Sequence, residues 1–404
     1  MSTLALLRPV DVAESEGRPS PGSGVDQPGD SAVWPVPHAG MPPLDQDGPP
    51  LSFFEFWSMP AFYGPVALYV LWLMLRHRGS TLPTVANPGL PGGGFHGEEK
   101  STILSLLARA APDRLAPFTT LDRGQAAEGM AADTEADLAT AEAAMRAAGL
   151  FYPVVAKPDL GCRGAGVRLI RGPGDLRAYL DGFPVGARLI LQRYVGLEAE
   201  AGVFYVREPG AERGRILSLT LKYFPHVIGD GRSTLRDLIL ADPRAGRLPH
   251  LYLPRHAARL DLVPRAGEPV RLAFSGSHSK GAIFRDGTRH VTPAMEQAFD
   301  AVARGIPGFH FGRFDVRFTS MDDLQAGTGF TILELNGAGA EMTHVWDRSM
   351  TLRRAWADIM GQYRLLWRIG AANRDRGHRP LAWRDVWAMS RRESHLTRLY
   401  PPTQ

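Results

Sequence analysis

Gly312-Arg313-Phe314-Asp315-Val316-Arg317-Phe318 and, after a loop, Thr331-Ile332-Leu333-Glu334-Leu335-Asn336-Gly337 decide the reading of this chain. Their apolar alternation predicts two neighbouring strands. Side chains at i and i+2 of a strand share a face, so Glu334 and Asn336 can converge with Asp315. A carboxylate in mid-strand is costly to bury without a cation. Three hard oxygen donors, with no sulfur or imidazole among them, suit Mg²⁺ (Mn²⁺ is the alternative), which takes few protein ligands and completes its shell with water and phosphate. The competing reading is an acidic pair exposed on a sheet face.

Working back along the chain, Pro153-Val154-Val155-Ala156-Lys157-Pro158-Asp159 leads into Leu160-Gly161-Cys162-Arg163-Gly164-Ala165-Gly166-Val167. A short apolar strand delivers Lys157, a glycine-rich loop follows, and a second strand is predicted at 167–170. Glycines let backbone N–H groups approach phosphate oxygens, and a lysine adds a point charge. The spacing is not that of a P-loop, and no helix follows as a dinucleotide fingerprint requires.

In this order, the lysine strand, glycine-rich hairpin and distal Asp…Glu-x-Asn set resemble the ATP-grasp superfamily. The pattern is most similar to D-alanine–D-alanine ligases and the ATP-grasp half of cyanophycin synthetases, over about residues 97–350, with Val227–Leu235 similar to a segment of the latter. The resemblance implies an α+β fold in which two subdomains grip ATP. It also implies a reaction in which ATP phosphorylates a carboxylate and an amine attacks the acyl phosphate.

The lysines fit this implication. Of 46 Lys+Arg only Lys100, Lys157, Lys222 and Lys280 are lysine. A site that needs a compact ammonium cannot accept a planar guanidinium, so these four are candidates for positions where head-group shape matters. By resemblance, Lys157 contacts the α/β-phosphates together with Gly161, Arg163, Gly164 and Gly166. Lys222 contacts the γ-phosphate, and Lys100, which opens a predicted helix, is the first nucleotide lysine. Leu189–Val203 looks like the hinge between the subdomains. Adenine would meet backbone near Gln192, Tyr194 and Val195, and Glu200, in preference to Glu198, would bind the ribose. Arg313 would stabilise charge developing during phosphoryl transfer; a salt bridge to Asp315 or Glu334 is its other role. Lys280, Gly339 and Glu341 fall to the substrate, Glu341 as a holder of the amine, although 337–344 also reads as a simple glycine turn.

At 404 residues and 44% hydrophobic content the chain is long and apolar enough for more than one folded unit. A net charge of +4 demands no nucleic acid, and a single cysteine excludes an internal disulfide framework and fits the cytoplasm. Residues 1–50 read as a disordered, acidic, Pro/Gly-rich leader. Residues 51–78 form a hydrophobic segment whose uncharged run 56–75 precedes Arg76-His77-Arg78. That run could span a bilayer, lie on it at the cytoplasmic face of the inner membrane, or pack in the core; Pro60, Gly64 and Pro65 limit its firm helix to 66–75. Residues 79–350 hold the ATP-grasp part without the full Rossmann-like domain that usually precedes it, and the loop with Asn87 and Gly92–Gly94 stands where part of that domain would be. Residues 351–404 predict two basic amphipathic helices that cap the main domain or touch an anionic membrane.

These readings imply an ATP- and Mg²⁺-dependent carboxylate–amine ligase acting on a small-molecule or lipid-linked acid. A nucleotide-binding scaffold that lost its acceptor site, and a kinase that stops at the phosphorylated product, remain as alternatives.

Overall fold

A computed structural model describes residues 36–45, 47–124, 133–161 and 164–403. Most of the expected leader (1–35 and Gln46) and the loop residues Cys162 and Arg163 lie outside them.

The described chain is α+β. Strands β1 (Phe118–Asp122), β2 (Val154–Pro158), β3 (Arg168–Ile170) and β4 (Arg188–Arg193) form a first sheet in the order β1-β4-β2-β3. Strands β5 (Ala199–Val206) and β6 (Arg215–Tyr223) open a second sheet. After the short pair β7 (His226–Ile228) and β8 (Pro269–Arg271), that sheet is completed by β9 (Ile283–Asp286), β10 (Phe311–Phe318) and β11 (Phe330–Asn336), in the order β11-β10-β5-β6-β9. Every pairing between these strands is antiparallel.

The first sheet packs against helices Thr134–Ala147 and Pro173–Asp181 through Leu138, Ala141, Met145, Leu176 and Leu180. Asp133 starts the first of these as an N-cap, accepting hydrogen bonds from the Glu135 and Ala136 amides. One face of the second sheet packs Ala201, Val203, Leu219, Leu221, Phe314, Val316 and Ile332 against helices Lys100–Ala110 and Pro293–Gly305. Strict alternation sends the intervening residues to the opposite face. That face carries Glu200 and Gly202 of β5, Thr220 and Lys222 of β6, and Arg313, Asp315 and Arg317 of β10.

On β11 alternation alone gives the wrong answer. Phe330 and Ile332 face the core, so a regular strand would bury Glu334 there as well. A bulge intervenes: Asp315 pairs with Glu334 and Val316 with Ile332, so Leu333 is the extra residue. The bulge reverses the phase, returns Leu335 to the core, and places Glu334 and Asn336 on the polar face.

Two segments differ from the sequence expectation. Residues 36–45 are folded: Met41 and Leu44 pack on the core, and the Tyr223 hydroxyl donates to the Pro42 carbonyl at 2.9 Å. The apolar run forms one helix, Met59–Arg76, rather than starting at 66. Pro60 lies in the first turn, where its missing N–H has no helical partner in any case, and Pro65 is accommodated in the interior. This helix lies against Leu352–Asp375, burying Phe62, Val66 and Leu73.

Candidate ATP and metal site

Asp315 and Glu334 stand directly opposite one another on β10 and β11. Like charges in that relationship repel and need cations nearby. The chain supplies four. Lys222 donates to Asp315 Oδ1 at 2.9 Å and to Glu200 Oε1 at 3.2 Å. Arg313 grips Asp315 with Nε at 2.8 Å and Nη2 at 3.1 Å. Lys100 pairs with Glu334. Lys157, from the first sheet, reaches across to the carbonyl of the bulge residue Leu333 at 3.2 Å and to Gln192 Oε1 at 2.9 Å. Asn336 donates to Asp315 Oδ2 at 3.1 Å, closing the set.

The electrostatics follow from these pairs. Burial would raise the Asp315 pKa, but Arg313 and Lys222 hold it well below the usual carboxylate range. Burial opposes ionisation of Glu334 too, and Lys100 and Lys157 lower its pKa overall. Burial pushes Lys157 down to about 8, because its nearest contacts are neutral oxygens; Lys222, equally buried but facing two carboxylates, moves up instead. Gly202 makes room for this arrangement: a Cβ there would sit 3.0 Å from Arg313 Cδ and 3.3 Å from Asp315 Oδ1.

The donor set fits Mg²⁺ chemistry. No group of three His, Cys, Asp or Glu side chains is assembled among the described residues. Mg²⁺ does not need one, since one or two carboxylates plus phosphate oxygens and water suffice. Asp315, Glu334 and the Asn336 amide would supply the protein's share.

Glu200, Gln192, Tyr194 and Val195 join this network, whereas the hairpin glycines meet the C-terminal segment: the Gly166 amide donates to Thr403 Oγ1 at 3.2 Å and the Thr403 hydroxyl donates to the Gly164 carbonyl at 2.8 Å. Gly164 and Gly166 take left-handed conformations at φ 71° and 70°, and a Cβ on Gly166 would press on the Pro158 ring at 2.8 Å. Gly161, at φ 146°, turns the chain out of β2. Glu200 lies inside β5 and is buried between Lys222 and Arg317. Glu198 pairs instead with Arg271 at 3.1 Å. The Gln192 side chain is held by Lys157 and by the Ala116 carbonyl, which accepts at 3.1 Å. The carbonyl of Val195 accepts from Arg317, and the Tyr194 ring lies under that same guanidinium.

The substrate candidates are less uniform. Glu341 is close by: its carboxylate accepts from the Tyr63 hydroxyl at 2.8 and 2.9 Å, and its carbonyl accepts from Arg313 at 3.0 Å. Gly339 is not open space. Its amide donates to the Gly94 carbonyl at 2.7 Å, and a Cβ would meet Phe95 O at 2.4 Å. The small residues after β11 therefore admit the chain's own 93–95 segment rather than leaving room for a ligand. Asn87 anchors that segment, accepting from the His310 and Phe311 amides and donating to the Gly93 and Phe311 carbonyls. Lys280 is half-buried in a short turn, His278–Lys280, whose carbonyl accepts from Arg255. In the same loop, Gly276 lies so close to Glu200 that a Cβ would meet its Oε1 at 2.1 Å.

Sequence reasoning missed four participants. Arg317 stands two residues beyond Asp315 and was readable as sharing its face. Asp159 accepts from the Ser101 amide at 2.6 Å and hydroxyl at 2.9 Å, fixing the helix that carries Lys100. Glu98, beside Lys100, has its carboxyl pushed up to about 7 by burial. Tyr63 comes from the apolar helix, and no local pattern ties it to Glu341.

No family model matches the chain, and no curated protein matches it. Among solved structures it is similar to a bifunctional glutathione synthetase from Pasteurella multocida, at 16% identity and TM-score 0.32, over 65% of this chain and 35% of that one. It is also similar to a carboxyaminoimidazole ribonucleotide synthase from Aspergillus clavatus complexed with ATP, at 11% identity and TM-score 0.35, over 61% and 45%. A third is the D-cycloserine synthetase DcsG, at 11% identity and TM-score 0.34, over 75% and 81%. The chain thus spans less than half the length of the first two. On its own geometry, the chain has a lysine strand and glycine-rich hairpin on one antiparallel sheet, with Lys157 reaching the strand that carries Glu334 and Asn336 on another, within an α+β fold.

Proposed function

We propose that this protein is an ATP- and Mg²⁺-dependent ligase that joins a carboxylate to an amine through an acyl phosphate. One observation carries the reading. Asp315 and Glu334 face each other across β10 and β11, with Asn336 beside them and Lys100, Lys157, Lys222 and Arg313 around them. A buried, cation-rich surround with a hard-oxygen set at its centre suits a polyphosphate and its metal.

In this reading Lys100, Lys157 and the glycine hairpin, with Gly161, Arg163, Gly164 and Gly166, hold the α- and β-phosphates. Lys222 meets the γ-phosphate, the stretch Gln192 to Val195 meets adenine, and Glu200 meets the ribose. Mg²⁺, when bound, neutralises phosphate charge and orients the transferring group. The γ-phosphoryl passes to a carboxylate oxygen, giving ADP and an acyl phosphate. The amine nitrogen then attacks the acyl carbon and phosphate leaves. Arg313 is aimed at the negative charge that develops in both steps. Glu341, held by Tyr63 beside Arg313, receives the amine, and Lys280 serves the substrate side. The acid is a small molecule or is lipid-linked, and the exposed face of the apolar helix favours a site of action at the cytoplasmic face of a membrane.

Screening acids and amines for release of ADP and phosphate tests the reading. Phosphate release that requires both an acid and an amine supports ligation. ADP formation with an acid alone indicates a kinase, and ATP binding without turnover of any acid indicates a scaffold.

A further inference from the structure

Helix Met59–Arg76 is partnered on one side only. Its inner side packs on Leu352–Asp375 through Phe62, Val66 and Leu73, and Trp356 donates to the Phe62 carbonyl at 2.9 Å. Its outer side leaves Leu68 and Leu75 each 72% exposed, with Leu71 and Trp72 half exposed between them. These positions, i, i+3, i+4 and i+7, form a single apolar stripe. Phe53, Phe56, Trp57 and Met59 are exposed just before it. A continuous apolar surface of this length is unusual on a protein that meets only water.

A second stripe meets it. Trp383 donates from Nε1 to Ser80 Oγ at 2.8 Å, so helix Trp383–Thr397 begins beside the C-terminal end of the apolar helix. Trp383, Trp387 and Arg391 follow at i, i+4 and i+8. Both tryptophans are exposed, and Arg391 lies 4.6 Å over the Trp387 ring. Arg76, Arg78 and Arg379 are exposed around this junction, as is Arg384, which pairs with Asp385 at 3.5 Å.

We propose that these two stripes together seat the protein on the surface of an anionic phospholipid bilayer. The proposal deepens the membrane-side part of the functional reading and does not depend on the ATP chemistry. Leucines and tryptophans fit the boundary between headgroups and acyl chains, and arginines fit the phosphates of anionic lipids. The charge decides the occupant, because a second copy of the chain would set one arginine-rich rim against another. The mode is interfacial rather than spanning. Phe62 to Leu73 is docked along a helix that carries Arg353, Arg354, Arg364 and Arg368, and these could not follow it into hydrocarbon.

The test is flotation of the purified full-length chain with vesicles of phosphatidylcholine alone and of phosphatidylcholine with phosphatidylglycerol, at low and high salt, with light scattering to give the oligomeric state. Binding to the anionic vesicles that weakens in high salt is expected. The triple variant Leu68→Ser, Leu71→Ser, Leu75→Ser alters only exposed side chains. It should bind at least about tenfold more weakly while keeping a cooperative melt. Trp383→Ser with Trp387→Ser should weaken binding independently. Equal binding to both vesicle types, no binding to either, or a wild-type dimer that the triple variant converts to a monomer would each overturn the proposal.

Discussion

Lys157 on β2 and Glu334 on β11 belong to different sheets, yet Lys157 hydrogen-bonds the carbonyl of Leu333, the residue just before Glu334. One ammonium thus joins the glycine-rich side of the site to the carboxylate side. Its charge is only weakly compensated, since it hydrogen-bonds the neutral Gln192 and Leu333 oxygens.

The Lys157 environment predicts a pH dependence. In the free protein burial lowers its pKa to about 8 from 10.5, so its charge is lost as pH rises through about 8. Phosphate oxygens favour the charged form, so ATP binding above that pH takes up a proton and weakens as pH rises further. Titration calorimetry in buffers of differing ionisation enthalpy should show proton uptake above pH ~8 and little below it.

Head-group shape is testable separately. Lys157→Arg and Lys222→Arg should lose activity nearly as completely as the alanine variants, because a guanidinium is larger and planar. Lys280→Arg, at a half-buried turn, should be milder. Normal turnover by Lys157→Arg would remove the shape argument.

The metal set should respond unequally in stability and equally in function. Asp315→Asn, Glu334→Gln and Asn336→Ala should each lower turnover by at least about a hundredfold. Asp315→Asn should also cost about 3 kcal/mol of stability, since Lys222 and Arg313 lose a buried counter-charge, whereas Asn336→Ala removes one neutral donor. Denaturant melts and ADP-release assays on the three variants read both effects.

Glu98 offers a linkage test. Its pKa is raised from 4.5 to about 7 by burial, so the folded state holds the proton more tightly than the unfolded state. The stability this gives is fully present below pH ~4.5 and is lost as pH rises through about 7. Glu98→Gln should therefore be stabilising by about 1–3 kcal/mol above pH ~8 and nearly neutral in acid. Melting curves against pH give the answer.

Asn87 tests the segment that fills the space after β11. Its side chain is fully buried and makes four hydrogen bonds to backbone. Asn87→Ala should cost about 2–4 kcal/mol, because four backbone groups each lose a hydrogen bond to a buried side chain, with the Gly93 carbonyl keeping a second donor in the Ala338 amide.

The convergence of Asp315, Glu334 and Asn336 was legible because Glu334 and Asn336 sit two apart on a strand that pairs with the one carrying Asp315. What was not legible depends on long-range contact. The β11 bulge is set by pairing with β10, and without it the alternation that suggested Glu334 would have pointed it into the core. Gly339 reads as room for a ligand until Gly94 and Phe95 are seen packed against it. Pro60 and Pro65 look like breaks in the apolar run, yet docking on Leu352–Asp375 holds one continuous helix. Tyr63 and Glu341 are far apart in sequence and meet only because that helix docks there.

Calorimetric titration of ATP into the wild type and Glu334→Gln, each with and without Mg²⁺, tests the central claim most directly. The account predicts that wild type binds ATP much more tightly with Mg²⁺, and that Glu334→Gln stays folded but loses this Mg²⁺ dependence. Wild type that ignores Mg²⁺-ATP, or a Glu334→Gln variant that binds it as tightly as wild type, would contradict the account.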